Sequence, residues 1–347
     1  MADLLLREQG PRSRPWPGLH EPAAGVRFLR RPAGTRLFFA SDVHGSEQCF
    51  RKWLNAAAAY GVDALILGGD ITGKAVVAVI ETEDGWNGEV GGQQLRARNE
   101  SELADLQRRI RDSGSYDLIL SPHAARALES DPEALDKAFR KAVEERLIGW
   151  VRLADERLAG TKASCFMMLG NDDPPELADI IRQSSRIVYA EDGIQELPGG
   201  YELLSYGYSP PTPWRTPREL PENEIAGQLD SLAARLQNPT TAVFNLHCPP
   251  RGTHLDQAPE LDHQLRPKSG LGGQSSGAVG SEAVRGILQR LQPLLGLHGH
   301  VHESAGAEKI GRTLCVNPGS EYSEGILRGV LVQLGSKGLE SWQFVQG

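Results

Sequence analysis

Nine residues in five short blocks could do chemistry if the fold brought them together. They are Asp42 and His44 in "SDVHG", Asp70 in "LGGD", Asn171, Asp172 and Asp173 in "GNDD", His247 in "NLHC", and His300 and His302 in "GHVH". Each block follows a short apolar run, and ligands of α/β sheets gather just beyond the carboxyl ends of strands. A single Asp in such a place is most often a helix cap or a turn former, but ligand-type residues at five consecutive strand ends make a set. Carboxylate, imidazole and amide oxygen without thiolate suit divalent ions such as manganese, iron or zinc. The donors are too many for one tetrahedral site. Two ions roughly 3.5 to 4 Å apart, bridged by one carboxylate and a hydroxide, would use all of them and would make an attacking group out of water.

The elements that must position these residues alternate along the chain. "RLFFAS" is a short apolar run, and in "EQCFRKWLNAAAAYG" residues Phe50, Trp53, Leu54 and Ala57 share one helical face before a stopping glycine. "DALILGGD" follows as a second strand, and strand, helix, strand of this type indicates an α/β layered fold. The theme resumes in "SCFMMLGNDD", "YELLSYGYSP", "TAVFNLHCPP" and "PLLGLHGHVH", with helices expected in "ENEIAGQLDSLAARLQ" and "SEAVRGILQRLQ". "TLCVNPGS", "GVLVQLG" and "ESWQFVQ" read as antiparallel closing strands. The interval of about 74–162 breaks the rhythm: "KAVVAVIETEDGWNGEV" reads as a hairpin and "DPEALDKAFRKAVEERLIGWVRLADERLAG" as a long amphipathic helix.

Composition narrows the function classes. At 347 residues the chain can bury a sizeable core, and the net charge of -8 argues against a partner made of long nucleic acid, which is gripped by clustered Lys and Arg. The basic, Pro-rich opening, residues 1–34, reads as an irregular arm. Nothing approaches the roughly 20 apolar residues of a membrane span, and the opening lacks signal-peptide features, so a cytoplasmic protein is expected. The four cysteines, Cys49, Cys165, Cys248 and Cys315, form no C-x-x-C pair and read as buried free thiols of a reducing compartment.

The ordered blocks "DVH", "GGD", "GND", "LH" and "GHVH" resemble the calcineurin-like metallophosphoesterase superfamily, from roughly Leu37 to the end of the chain. "GGDITGK", "LGNDDPPE", "GTHLDQAPELD" and "NPGSEY" are similar to a group of bacterial phosphoesterases within it. The resemblance implies a four-layer α-β-β-α sandwich of two mixed sheets over 35–347, and the inserted hairpin and helix at about 74–162 are expected to form a cap. It implies a first metal held by Asp42, His44 and His302, a second by Asn171, His247 and His300, and Asp70 as the bridge. The cofactors expected are two divalent ions, manganese first among manganese, iron, zinc and nickel. His298 matches no ligand position and reads as a packed or orienting imidazole.

The family carries His after the Asn of "GND", close to the leaving group, whereas this chain has Asp172, with Asp173 in the place of the acid that orients that His. An ionised carboxylate is a poor proton donor. Asp172, with Asn171, is therefore expected to act at the metals, and His254 in "RGTHLD" on the substrate side. The insertion begins and ends at the centre and is expected to shape access to it. Glycines and serines of "LRPKSGLGGQSSGAVGS" could offer N–H groups to phosphate or form a surface loop, and the turn Asn317–Ser320 is expected beside the site. The resulting expectation is a phosphodiesterase acting on small phosphoesters through a hydroxide shared by the ions, able to form an oligomer. The alternatives are a nucleotide pyrophosphatase or nuclease, a phosphomonoesterase, and a binding module that has lost catalysis.

Overall fold

The computed structural model describes residues 34–347 except 263, 265, 267, 271 and 272. The arm expected over 1–34 therefore lies outside the described residues but for Gly34. From there β1 (Thr35–Ala40), α1 (Glu47–Ala59) and β2 (Ala64–Gly68) form a parallel strand-helix-strand unit. Ser46 caps α1 by accepting the N–H of Cys49, which satisfies a donor that the helix start leaves open.

The insertion is richer than a hairpin and one helix. It contains β3 (Val76–Thr82), β4 (Gly85–Val90), β5 (Gln93–Ala97), α2 (Glu100–Asp112), β6 (Tyr116–Leu120), α3 (Pro122–Ser130) and α4 (Pro132–Leu158). Its strands make a sheet of order β5-β4-β3-β6 with a small core of Val79, Ala97, Leu103, Leu106 and Ile110. The chain returns through β7 (Ser164–Met168), α5 (Ala178–Ile181), β8 (Ile187–Tyr189), β9 (Gln195–Leu197), β10 (Tyr201–Tyr206), α6 (Glu222–Ala233) and β11 (Val243–Leu246). Short pairs follow, β12 (Gln257–Pro259) with β15 (Ser276–Ala278) and β13 (Ser269–Gly270) with β14 (Gly273–Gln274). The last elements are α7 (Glu282–Leu291), β16 (Leu295–Leu297), β17 (Gly306–Ile310), β18 (Thr313–Asn317), β19 (Arg328–Gly335) and β20 (Gly338–Gln346).

Two six-stranded mixed sheets result, β20-β19-β1-β2-β7-β8 and β17-β18-β16-β11-β10-β9. The central strands of each are parallel. The expectation of antiparallel closing strands holds for β19 and β20, but β18 runs parallel to β16 and antiparallel only to the unforeseen edge strand β17.

Side-chain alternation makes these sheets a sandwich. Leu37, Phe39, Ile66 and Met168 of the first face Leu203, Val243, Leu297 and Val316 of the second in one buried cluster. On the outer face of the first, Phe38, Leu65, Leu67 and Met167 pack with Phe50 and Trp53 of α1 and with Val143, Leu147 and Trp150 of α4. The rings of Phe50 and Trp150 stack at 4.1 Å. The second sheet is covered by Ile225 and Leu229 of α6 and Val284, Ile287 and Leu288 of α7. The four layers are thus helix, sheet, sheet and helix, and α4, although part of the insertion, belongs to the outer helical layer.

Arg146 of α4 ties the insertion to the loop after β1, donating to Gly45 O at 2.6 Å, and also donates to Ser115 O at 3.1 Å with its guanidinium over the Tyr116 ring. All four cysteines are buried free thiols. Among the described residues no helix is long and apolar enough to cross a membrane.

Candidate metal centre

The five blocks converge. Among the described residues three groups could hold a cation: Asp42, His44 and His302; Asp70, His247 and His300; and His44, Asp70 and Asp172. In the first group His302 Nε2 lies 3.4 Å from Asp42 Oδ1 and 3.0 Å from His44 Nε2. In the second, His247 Nε2 lies 3.2 Å from Asp70 Oδ1 and 3.1 Å from Asn171 Oδ1, and His300 Nδ1 lies 2.7 Å from the same amide oxygen. Asp70 stands between them, with Oδ1 toward His247 and Oδ2 3.7 Å from His44 Nε2.

Far-side hydrogen bonds decide which atoms point inward. His247 Nδ1–H donates to Gly68 O at 2.8 Å and His44 Nδ1–H to Thr72 O at 3.2 Å, so each Nε2 presents its lone pair to the centre. Asn171 Nδ2 donates to Asp172 Oδ1 and to Thr216 Oγ1, both at 2.9 Å, which turns Oδ1 toward His247 and His300. Lone pairs therefore face lone pairs across about 3 Å, an arrangement that needs a cation or a proton between them. The donor set fits a divalent ion.

The charges agree. Burial favours a neutral His247 ring, yet the Asp70 carboxylate outweighs it and pushes the ring up to about 10. Burial opposes ionisation of Asp42 as well, but the His302 hydrogen bond and the charges of His247 and His302 bring it down to about 2. His300 is lowered to about 4 by burial and by His247. Asp172 is raised to about 6 by burial and then by Asp70, against the pull of Lys74.

The backbone is strained where these residues sit. Six described non-glycine residues have positive φ, and four of them are Asp42 (56°), His44 (38°), Asp70 (49°) and His300 (65°). Such conformations cost on the order of 1–3 kcal/mol each and persist only where the surroundings enforce them. The glycines of "GND" and "GH" serve close approach: a Cβ on Gly170 would overlap Asp70 Oδ1, and one on Gly299 would overlap Asp42 Oδ2. The Asn317–Ser320 turn braces the same corner. Asn317 Nδ2 donates to Gly299 O and Val301 O, and Ser320 Oγ to Asp42 O at 2.6 Å.

Two predicted residues stand apart from the ligands. His298 is buried, donates from Nδ1 to Leu246 O at 2.8 Å, and belongs to neither ligand group. His254 is exposed; its backbone N–H donates to Glu308 at 2.7 Å, and its ring makes no hydrogen bond or ion pair with the cluster. Sequence reasoning missed Lys74, whose Nζ lies 3.0 Å from Asp172 Oδ2, and Thr216, which passes the Asn171 bond on to Glu219 at 2.8 Å. Lys74 stands beside the "GGD" block, a proximity that could have marked it. Thr216 lies in a Pro-rich stretch far along the chain and carries no local signal.

No protein-family profile matches the chain. An uncharacterized protein of Methanocaldococcus jannaschii is 33% identical over 119 residues, a third of this chain and 47% of that protein, so the chain spans about half the length of the curated relative it matches. Among solved structures, one crystal structure superposes with a TM-score of 0.53 at 18% identity, covering 90% of this chain and 99% of the other. A Thermus thermophilus protein gives 0.48 at 15% identity over 91% and 99%. The E. coli phosphoesterase Yfce gives 0.29 at 12% identity over 89% and 98%. At 18% identity the likeness is one of fold, and the residues must carry the chemistry.

Proposed function

We propose that this chain is a metal-dependent phosphohydrolase of the calcineurin-like metallophosphoesterase type, acting on small phosphodiesters in the cytoplasm with two divalent ions, manganese first. The observation that carries this reading is Asp70, whose two carboxylate oxygens face different ligand groups. Asp42, His44 and His302 would hold one ion and Asn171, His247 and His300 the other.

Ions bound there supply Lewis acidity, activating water and offsetting the charge that gathers on phosphoryl oxygens. The protein residues supply order. Gly68 and Thr72 carbonyls fix the imidazole tautomers, and Thr216 fixes the amide of Asn171. Burial of Asp42, Asp70 and His247 excludes bulk water, so each electrostatic contact acts at low dielectric. The insertion, which leaves the centre after Asp70 and returns to it before Asn171, would restrict entry to small or extended esters.

Metal analysis of the purified protein, with hydrolysis of bis(4-nitrophenyl) phosphate before and after chelation, tests the proposal. About two ions per chain and chelator-sensitive turnover are expected. Faster cleavage of 4-nitrophenyl phosphate would replace the diesterase reading with a monoesterase, and cleavage of nucleotides alone with a pyrophosphatase. Absence of both metal and turnover would overturn the enzyme reading.

A further inference from the structure

Asp172 occupies the position where the resembling family carries a leaving-group imidazole, and it is held on several sides. Its N–H donates to Asp70 Oδ1 at 3.0 Å, its Oδ1 accepts from Asn171 Nδ2 at 2.9 Å, and its Oδ2 lies 4.0 Å from His44 Nδ1. An ionised carboxylate there is an acceptor only and would repel a departing oxyanion. The group on its open side is Lys74, whose Nζ lies 3.0 Å from Oδ2. The Lys74 side chain is 46% exposed, so it borders the solvent from which a substrate arrives, while Asp172 lies next to residues of both ligand groups. An ammonium has three N–H donors. Asp172 takes one and leaves two.

We propose that Lys74 meets the leaving oxygen of the substrate, with Asp172 as the strut that aims it; this deepens the phosphohydrolase reading and rests on it. In the reaction a water oxygen bonds to phosphorus, the ester P–O bond breaks, and its electron pair moves onto the leaving oxygen. The Lys74 N–H groups donate to that oxygen as its charge grows. The proton released by the attacking water reaches the alcohol through solvent, and Lys74 remains a cation throughout. Charge-assisted hydrogen bonds of this type are roughly twice as strong as neutral ones. Their value is greatest for alcohols that leave poorly.

The test begins with the metal-loaded wild-type chain, whose metal content and turnover decide the underlying reading on their own. K74M and K74R are then compared by metal content, by calorimetric titration with inorganic phosphate, whose fourth oxygen stands where the leaving oxygen would, and by kcat/KM on 4-nitrophenyl and alkyl diesters. K74M should keep its metal, bind phosphate about tenfold less tightly, and lose more on the alkyl ester than on the nitrophenyl ester, with K74R recovering most of both. Loss of metal in K74M would make Lys74 only a support for Asp172. Phosphate affinity within about twofold of wild type, or equal losses on the two esters, would overturn the assignment.

Discussion

The Asp173 carboxylate accepts both the N–H and the hydroxyl of Thr72, at 2.9 and 2.7 Å, across the whole insertion. Its other oxygen accepts the N–H groups of Ile71 at 3.0 Å and Gly170 at 2.7 Å. The second Asp of "GNDD" therefore staples the loop after β2 to the loop after β7, and so fixes Asp70 relative to Asn171.

Removing that staple strands four buried donors. Asp173→Ala should cost about 3 kcal/mol or more, measured by denaturant unfolding, and should weaken metal binding. A variant with unchanged unfolding midpoint and metal content would show that the loops hold themselves.

Asp70→Asn replaces the carboxylate that faces both His247 and His44 by a neutral side chain of the same shape. Turnover should fall at least about a hundredfold with bound metal dropping toward one ion per chain, while the circular dichroism spectrum stays that of wild type. Near wild-type turnover would remove Asp70 from its bridging place.

Thr216→Val deletes the hydroxyl that holds the Asn171 amide, at a half-buried position outside every helix and strand. Metal affinity should fall roughly 10- to 100-fold, read by competition with a chromogenic chelator. An unchanged affinity would mean that Asp172 alone orients Asn171.

Proton uptake gives a signed prediction. In the metal-free protein the Asp70 carboxylate holds a proton on His247 up to about pH 10, so metal binding at pH 7 must expel it. Calorimetry in buffers of different ionisation enthalpy should show about one proton released per chain from this ring, and affinity should rise with pH from neutrality toward 10. The same proton stabilises the metal-free fold, fully below the ordinary value of 6.5 and progressively less as pH rises through about 10. Metal binding without proton release would contradict the pairing of His247 with Asp70.

Much of the architecture was legible because its signals are local. The apolar runs became β1, β2, β7, β10, β11 and β16, and the amphipathic stretches became α1, α4, α6 and α7. The missed elements lack such signals. The α2 helix is largely polar and buries only Leu103, Leu106 and Ile110, and β5 and β6 are five-residue strands of the small sheet. The direction of β18 depends on pairing with β16, which adjacent residues do not encode.

Residue types at strand ends made the candidate metal-binding set legible, because each block and the strand that presents it are neighbours in the chain. Only the tertiary structure decides which atom of each ligand faces inward, because Gly68, Thr72 and Thr216 make that choice from remote segments. It also decides that Asp172 pairs with Lys74 and that Asp173 braces the backbone. Those roles arise when buried carboxylates take the nearest available donors, and proximity in space is a property of the packed sheets.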